Sequence, residues 1–598
     1  MPPLATDDRQ VPGLRRRRLG VVHLVFFTVA ASAPLTVLAG GVTTAYAVSG
    51  NQAVPLAFLG VAAVLVLFAV GYAAMSRHVA NAGAFYAYLA RGLGRPAGVA
   101  GSFVALVAYN AIQIALYGLF GAAMSDFVAE TAGLRLAWWS WALFAMVAVG
   151  WLGLLRVDLN ARVLAVLLIV EVAAVVAFDV AGFTRPAEGA VTLDPLLPET
   201  LFAGGIGAVV AFTVASFTGF ESGAIYSEEA RDPRRTVARA TFVAVTFTGV
   251  FYALSAWAMV AATGPSQLQA RAGEEGPGLV FGPLAEMFGT VVADVTTVLL
   301  LSSVFAALLS FHNGVARYLF ALGRERVLPS ALATVGARSG GPVAGSLAQS
   351  VLALVVVLGF VLAAADPMLS LFSWFSGLSA LGVVLLMTGT SVAVVGFFRR
   401  NRKAPASVWA RLIAPVLAAV LLAAVLVVLV GNFDALLGTD PSSPARWVLP
   451  GIVLIAALGG LGWALWLRSA RPDVYDGIGG GAPAPDGVAP EAGAPTVYWR
   501  RAGETGPADW AGAGTADSGS GSAPWAGAGT ADSAGDGAEE VGTGTTGSAG
   551  DAAEQAEGGT TSAAPLEERE TTVFTMPERS TARAEDETTE FRRPDLRD

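Results

Sequence analysis

Two carboxylates, Glu171 and Glu221, lie inside stretches too apolar to hold them without a use. Glu221 is the sharper case. An apolar run from Leu201 to Phe217 breaks into Thr218-Gly219-Phe220-Glu221-Ser222-Gly223, and a charged cluster follows at Glu228-Glu229-Ala230-Arg231-Asp232-Pro233-Arg234-Arg235. An ionisable side chain at membrane depth is by default a functional-site hypothesis, because hydrocarbon makes it expensive. A second interruption, Ala30-Ala31-Ser32-Ala33-Pro34-Leu35-Thr36 followed by Gly40-Gly41, falls in the first apolar segment. Unwinding at such points frees backbone N–H and C=O groups that lipid cannot satisfy but a polar solute can. The N-terminal end of a half-helix suits a carboxylate, and freed carbonyls suit an amino group. A zwitterion fits both without any charged side chain. Bond-breaking chemistry is not indicated: there is no nucleophile–base pair, and the histidines His23, His78 and His312 are too scattered for a metal site. The absence of cysteine excludes disulfides and thiolate ligands. We therefore expect no enzyme activity, no metal and no cofactor.

The elements that must position these residues are membrane helices. The 598-residue chain is 54% hydrophobic, only 14% charged, and has a mean hydropathy of +0.61, against about 25% charged residues in soluble domains. Stretches long enough to span a bilayer, roughly 17–25 residues, recur about twelve times. They fall at 21–48, 53–75, 97–127, 136–155, 163–183, 201–225, 238–263, 291–313, 343–364, 369–398, 412–430 and 447–467. The first is too long for a signal peptide and lacks a cleavage site, so it is expected to be retained. Alternate loops carry Arg77, Arg91 and Arg95; Arg156 and Arg162; Arg231 to Arg239; Arg317 to Arg338; and Arg399 to Arg411. The intervening loops hold only Arg135, Arg185, Arg271 and Arg446. The positive-inside rule makes the first group cytoplasmic, with both termini on that side of a multi-pass protein of the cytoplasmic membrane.

The chain divides into a short cytoplasmic segment (1–20), five spans (21–183), five more (199–398), two additional spans (411–468) and a tail (473–598). If spans six to ten repeat spans one to five, both interruptions fall in the first helix of a repeat and the repeats have inverted topology. Matched broken helices are the best sequence pointer to a transporter's binding site; the competing reading is that Gly and Pro are common in membrane helices. From Asp473 onward there are 24 acidic residues and eight arginines, so the tail carries −16 of the chain's −9 and the remainder +7. The tail's Gly, Ala, Ser and Thr content and its duplicated segment (510–518 and 525–533) indicate disorder in an acidic cytoplasmic extension.

Three motifs carry a family resemblance. Phe217-Thr-Gly-Phe-Glu-Ser-Gly with Ser227-Glu-Glu-Ala-Arg-Asp-Pro-Arg-Arg-Thr resembles the sixth helix and following loop of amino acid–polyamine–organocation (APC) permeases. Asn81-Ala-Gly-Ala-Phe-Tyr-Ala-Tyr after span two, and the stretch from His312-Asn-Gly to Pro329 after span eight, are similar to that family in the right order. The resemblance covers about residues 20 to 468 and implies an all-α integral membrane fold of about twelve helices. It further implies an inverted five-plus-five repeat with helices one and six broken, moving amino acids or related amines by alternating access, as a symporter, antiporter or exchanger.

Carried over residue by residue, Ser32, Ala33, Pro34 and Leu35 match the unwound stretch of helix one, with proline standing for much of the usual glycine. Proline has no N–H, which changes the set of donors offered to a carboxylate. Phe217, Thr218, Gly219 and Phe220 match the break of helix six, where Phe220 is either a gate or a packing residue. Glu221 matches a family glutamate, read as coupling or conformational, or as a carboxylate capping freed N–H groups. Glu171 stands where many relatives have a mid-helix lysine; a buried glutamate there can carry a proton, pair with arginine or bind a cation. Asp179, nearer the outer end, is expected to be solvated. In span three Asn110 and Gln113, with Tyr109 and Tyr117, share a helical face that either lines the cavity or bonds neighbouring helices. His312 is expected to bond a neighbouring helix, and Phe311 to face the cavity. The Arg231–Arg239 and Arg324–Arg326 groups are topology anchors or partners of Glu228 or Glu229 in an inner gate.

The expected function is a secondary transporter of amino acids or small amines, with a proton as co-substrate and the lipid bilayer as its only large partner; nucleic acid is not expected. Two alternatives stand beside it: a polyamine importer using Glu171 and Glu221, and a membrane sensor signalling through the tail.

Overall fold

The computed structural model describes residues 20–480 apart from 80, 82, 156, 222, 224, 226–229, 231, 337, 338, 439 and 441, with backbone alone at 157–164, 233, 234 and 369. Among the described residues there are helices and no β-strand. Ten helices are long and apolar enough to cross a membrane. They are Val21–Ser49, Val54–Ser76, Arg95–Ala132, Ala165–Thr184, Arg235–Thr263, Thr290–Arg324, Val343–Leu362, Ser370–Arg400, Trp409–Gly431 and Ala445–Ala470. The expected fourth and sixth spans correspond to shorter apolar helices, Trp138–Gly153 and Ile206–Ser216. In chain order these are spans one to twelve. The described residues have the all-helical architecture of a multi-pass membrane protein.

Local chemistry sets where these helices begin and end. Pro55 and Pro96 stand in the first turns of spans two and three, where the missing N–H has no intrahelical partner to lose. Gly50 and Gly133 close spans one and three in the left-handed conformation, at φ 61° and 67°. Span seven runs along span two, and span three contacts spans eight, ten and twelve. Small residues allow the close approaches: a methyl placed on Gly382 of span ten would lie 2.8 Å from the Ala108 Cβ of span three. In a bilayer such close packing replaces the hydrophobic drive that water supplies elsewhere.

Span one is continuous by length but not by geometry. Its first helix, Val21–Ser32, stops at Ala33, whose φ of 44° and ψ of 75° are left-handed. A single turn, Pro34–Thr36, and a π-helical stretch, Val37–Val42, follow before regular helix resumes at Thr43–Ser49. Span six ends at Ser216, and Gly219 takes φ +111° in the turn that follows. Both expected interruptions are present. The chain beyond span twelve differs from expectation: residues predicted to be disordered from 473 begin with a packed helix, Pro472–Gly477. Its buried Val474 supplies an apolar anchor that the tail's overall composition conceals.

Candidate functional site

Glu171 is the point where three spans meet at the break of span one. The left-handed Ala33 and the proline after it leave the Leu35 N–H outside the helical ladder, and that N–H donates to Glu171 Oε1 at 2.6 Å. Ser303, from span eight, donates its hydroxyl to the same oxygen at 2.7 Å. Ser303 and Thr36 hydroxyls are 3.1 Å apart; since a serine hydroxyl has one proton to give, Thr36 is the donor in that pair. A chain of donors therefore runs from span one through span eight to the carboxylate on span five, which is 1% exposed. On the other side of the break, Tyr252 of span seven donates to the Ser32 carbonyl at 3.2 Å. Freed backbone groups are thus satisfied by side chains from neighbouring helices, as hydrocarbon requires.

The break of span six lies against the break of span one. A Cβ built on Gly219 would stand 3.1 Å from the backbone and side chain of Ala31, so the close approach and the positive φ together require glycine there. Glu221, 1% exposed, accepts the Gly219 N–H at 3.1 Å through Oε2. Its Oε1, and the hydroxyls of Tyr72, Tyr109 and Tyr318, are buried without a well-formed hydrogen bond. Tyr72 and Tyr109 nevertheless lie close enough to feel the Glu221 charge. Phe217 packs on Phe58 and Tyr252, with ring centres 5.8 and 6.2 Å away, and Phe220 sits edge-on to Phe68 at 6.1 Å.

Between the two breaks lies a cavity of about 120 Å³. Ser32, Ala33 and Thr36 from span one and Ser216 and Thr218 from span six line it, with Phe311 of span eight opposite. Its remaining wall is largely apolar and small, including Ile112, Leu116, Gly40 and Gly41. Among the described residues, its lining holds no acidic, basic or imidazole side chain.

Of the expected binding residues, Ser32, Ala33 and Thr218 line this cavity. Pro34 and Leu35 shape the break behind it, while Phe217, Gly219 and Phe220 pack within the second break. Span three turns Ile112 and Leu116 to the cavity and its polar face away. Gln113 donates to the Tyr117 hydroxyl at 3.3 Å, lies 3.2 Å from His312 Nδ1 and accepts from Gln349 of span nine. His312 Nε2 in turn bonds Ser346 at 2.7 Å. This polar network joins spans three, eight and nine, as expected for His312. Asn110 donates to its own helix at Leu106 O, 2.6 Å away. Asp179 is half-buried rather than freely solvated, and accepts from Ser255 at 3.1 Å. Glu228, Glu229 and Arg231 lie outside the described residues. Sequence reasoning missed Ser303 and Thr36; the Ser302-Ser303 pair within the apolar run of span eight was the available signal.

Residues 19–457 match the amino acid permease family. The chain belongs to that family. This permease is 30% identical over 199 residues to "Branched-chain amino acid permease BcaP" of Lactococcus lactis subsp. cremoris, covering 33% of this chain and 42% of that one. It is 28% identical over 339 residues to "Uncharacterized transporter Rv1999c" of Mycobacterium tuberculosis, covering 56% of this chain and 71% of the other. A counterpart in Mycobacterium bovis aligns with the same identity and coverage. The chain thus spans less than half the length of the first relative. The matched family is one of amino acid permeases, and these relatives carry permease or transporter names.

Proposed function

We propose that this permease moves a zwitterionic amino acid with an uncharged, aliphatic side chain across the cytoplasmic membrane by alternating access. The observation that carries the reading is the uncharged cavity held between two broken helices. Backbone ends can meet an ammonium and a carboxylate together, and the Ile112, Leu116 and Phe311 surface suits an aliphatic side chain. A polyamine would need carboxylates facing the cavity. Glu171 and Glu221 are instead engaged behind it by Leu35, Ser303 and Gly219, which favours the zwitterion. The name of the Lactococcus relative, a branched-chain amino acid permease, agrees with that choice.

In this reading spans one to five (21–183) and six to ten (199–398) form inverted repeats, with 411–468 added outside them. The arginine-rich loops and both termini face the cytoplasm. Glu171 carries the coupling proton: ionised, it accepts from spans one and eight, and when protonated it loses much of its strength as an acceptor for both. Transport then follows because the relative placement of those spans depends on its charge. Substrate uptake into proteoliposomes, over a panel of amino acids and amines with and without a pH gradient, tests the reading. Accumulation of aliphatic amino acids driven by an inward proton gradient is expected. Uptake of no amine or amino acid under either condition refutes it. A sensor reading predicts instead that removing residues beyond 480 abolishes signalling and leaves uptake intact.

A further inference from the structure

The chain does not leave the helical body where span twelve stops. After Pro472–Gly477 the backbone continues to Gly480 against the loop helix Phe85–Gly92, with Val474 and Ile478 each 4% exposed. The Gly479 N–H donates to Glu325 Oε2 at 2.7 Å, and its carbonyl accepts from Arg91 Nε at 2.9 Å. Arg95 donates to the Asp476 carbonyl at 2.9 Å, pairs with the Asp476 carboxylate at 3.0 Å and lies over the Tyr475 ring. Gly479 has φ +74°, and a Cβ there would fall 2.7 Å from the Ala90 Cβ. Only glycine permits that approach.

Glu325 is a junction in its own right. It ends span eight, is 8% exposed, and also accepts from Asn81 Nδ2 at 2.7 Å and the Tyr86 hydroxyl at 2.6 Å. Asn81 follows span two, and Tyr86 lies on the helix leading to span three. One buried carboxylate therefore gathers the ends of spans two, three and eight together with the C-terminal segment. Charged acceptors make the stronger hydrogen bonds, so the segment's contribution falls where it biases the relative placement of these spans most.

We propose that residues 472–480 form an intramolecular clasp that holds the arginine-rich face closed. The inference rests on the alternating-access reading above but not on the identity of the substrate. Among the described residues, the segment's hydrogen-bond partners Tyr86, Arg91, Arg95 and Glu325 lie outside the cavity lining.

The chain contains no cysteine, so a single introduced thiol is labelled uniquely. Ile478→Cys reports docking of the segment. Thr28→Cys reports opening, because Thr28 is 1% exposed on the inner half of span one and a Cβ on Gly223 would lie 2.8 Å from its hydroxyl. Both are made in the full-length chain in liposomes, alone and with Gly479→Val, and labelled with a charged maleimide applied to the arginine-rich face. With Gly479→Val, labelling of both sites should rise, that of Thr28→Cys by about tenfold, equivalent to a bias of about 1.4 kcal/mol. Asp476→Lys, which sets a second cation against Arg95 without changing a residue of any membrane helix, should move both in the same direction. Unchanged labelling of Ile478→Cys overturns the proposal, because the docked geometry has no room for valine. A released segment with Thr28→Cys still protected overturns it too, since docking would then not gate. Increased labelling in a protein that transports no amino acid would support the clasp while refuting the substrate reading.

Discussion

Replacing Glu171 with glutamine is the most direct test of the proposed coupling of the two broken helices to a proton. The side chain keeps its size, and its carbonyl oxygen can still face the Leu35 N–H and the Ser303 hydroxyl, now 2.6 and 2.7 Å from Oε1. What it loses is the charge and the ability to exchange a proton. A hydrogen bond to a charged acceptor contributes about 1.5–3 kcal/mol and a neutral one about 0.5–1.5. The two bonds together therefore lose about 2–3 kcal/mol, a shift of roughly 30- to 150-fold in the balance between clamped and released arrangements. The consequence for accumulation is more decisive. One proton moved per substrate lets a one-unit pH gradient sustain about tenfold accumulation, since each unit is worth about 1.36 kcal/mol. Glu171→Gln should equilibrate substrate to a ratio of about one while retaining exchange of internal for external substrate. Proteoliposomes loaded at fixed internal pH, assayed for both net accumulation and exchange, separate these quantities. Full gradient-driven accumulation by Glu171→Gln refutes the assignment of the proton to this residue.

Gly219→Ala should reduce uptake at least tenfold and lower the thermal midpoint in detergent. It places a side chain at φ +111° against Ala31, where backbone strain alone costs about 1–3 kcal/mol; wild-type uptake would refute the close contact of the two breaks. Gln113→Leu removes the centre of the network among Tyr117, His312 and Gln349. It should cost about 1–3 kcal/mol of stability through the partners left unpaired, seen as a lower unfolding midpoint with unchanged substrate affinity; weakened affinity with unchanged stability would return Gln113 to the binding site. Glu221→Gln should slow uptake several-fold, yet keep gradient-driven accumulation, because the Gly219 N–H still finds an acceptor; loss of accumulation with exchange retained would move the proton to Glu221.

Legibility from sequence followed the range of the interaction. Apolar runs predicted the spans because lipid leaves the backbone no choice but to bond within each helix. Pro34 and Gly219 predicted both breaks because a missing N–H and a required positive φ act within a turn. That Ala33, rather than a glycine, takes the left-handed conformation was not readable, since only the surrounding contacts hold it there. The periodicity of span three placed Asn110 and Gln113 on one face, but period alone does not say which neighbour that face meets. The 136-residue separation between Leu35 and Glu171 puts their pairing beyond any local pattern. Residues 472–480 were hidden differently: Val474 and Ile478 are too few to mark an ordered segment within a Gly- and acid-rich tail.

Range is also what favours Glu171 over Glu221 in the proposed coupling. The well-formed hydrogen bond of Glu221 is to the N–H of a residue two positions earlier, within its own turn, with Tyr72 and Tyr109 near its charge. Glu171 has no such local partner: its acceptor oxygen is shared by span one and span eight, and span five carries it. A proton on Glu171 alters how three helices hold one another. A ligand shifts a conformational equilibrium only as far as it interacts differently with the two states, and the same holds for a proton. The carboxylate whose bonds cross the moving parts is the one able to couple their motion to a proton gradient. The carboxylate whose well-formed bond closes on its own turn has the shorter reach between helices, which is why the proposal gives the proton to Glu171.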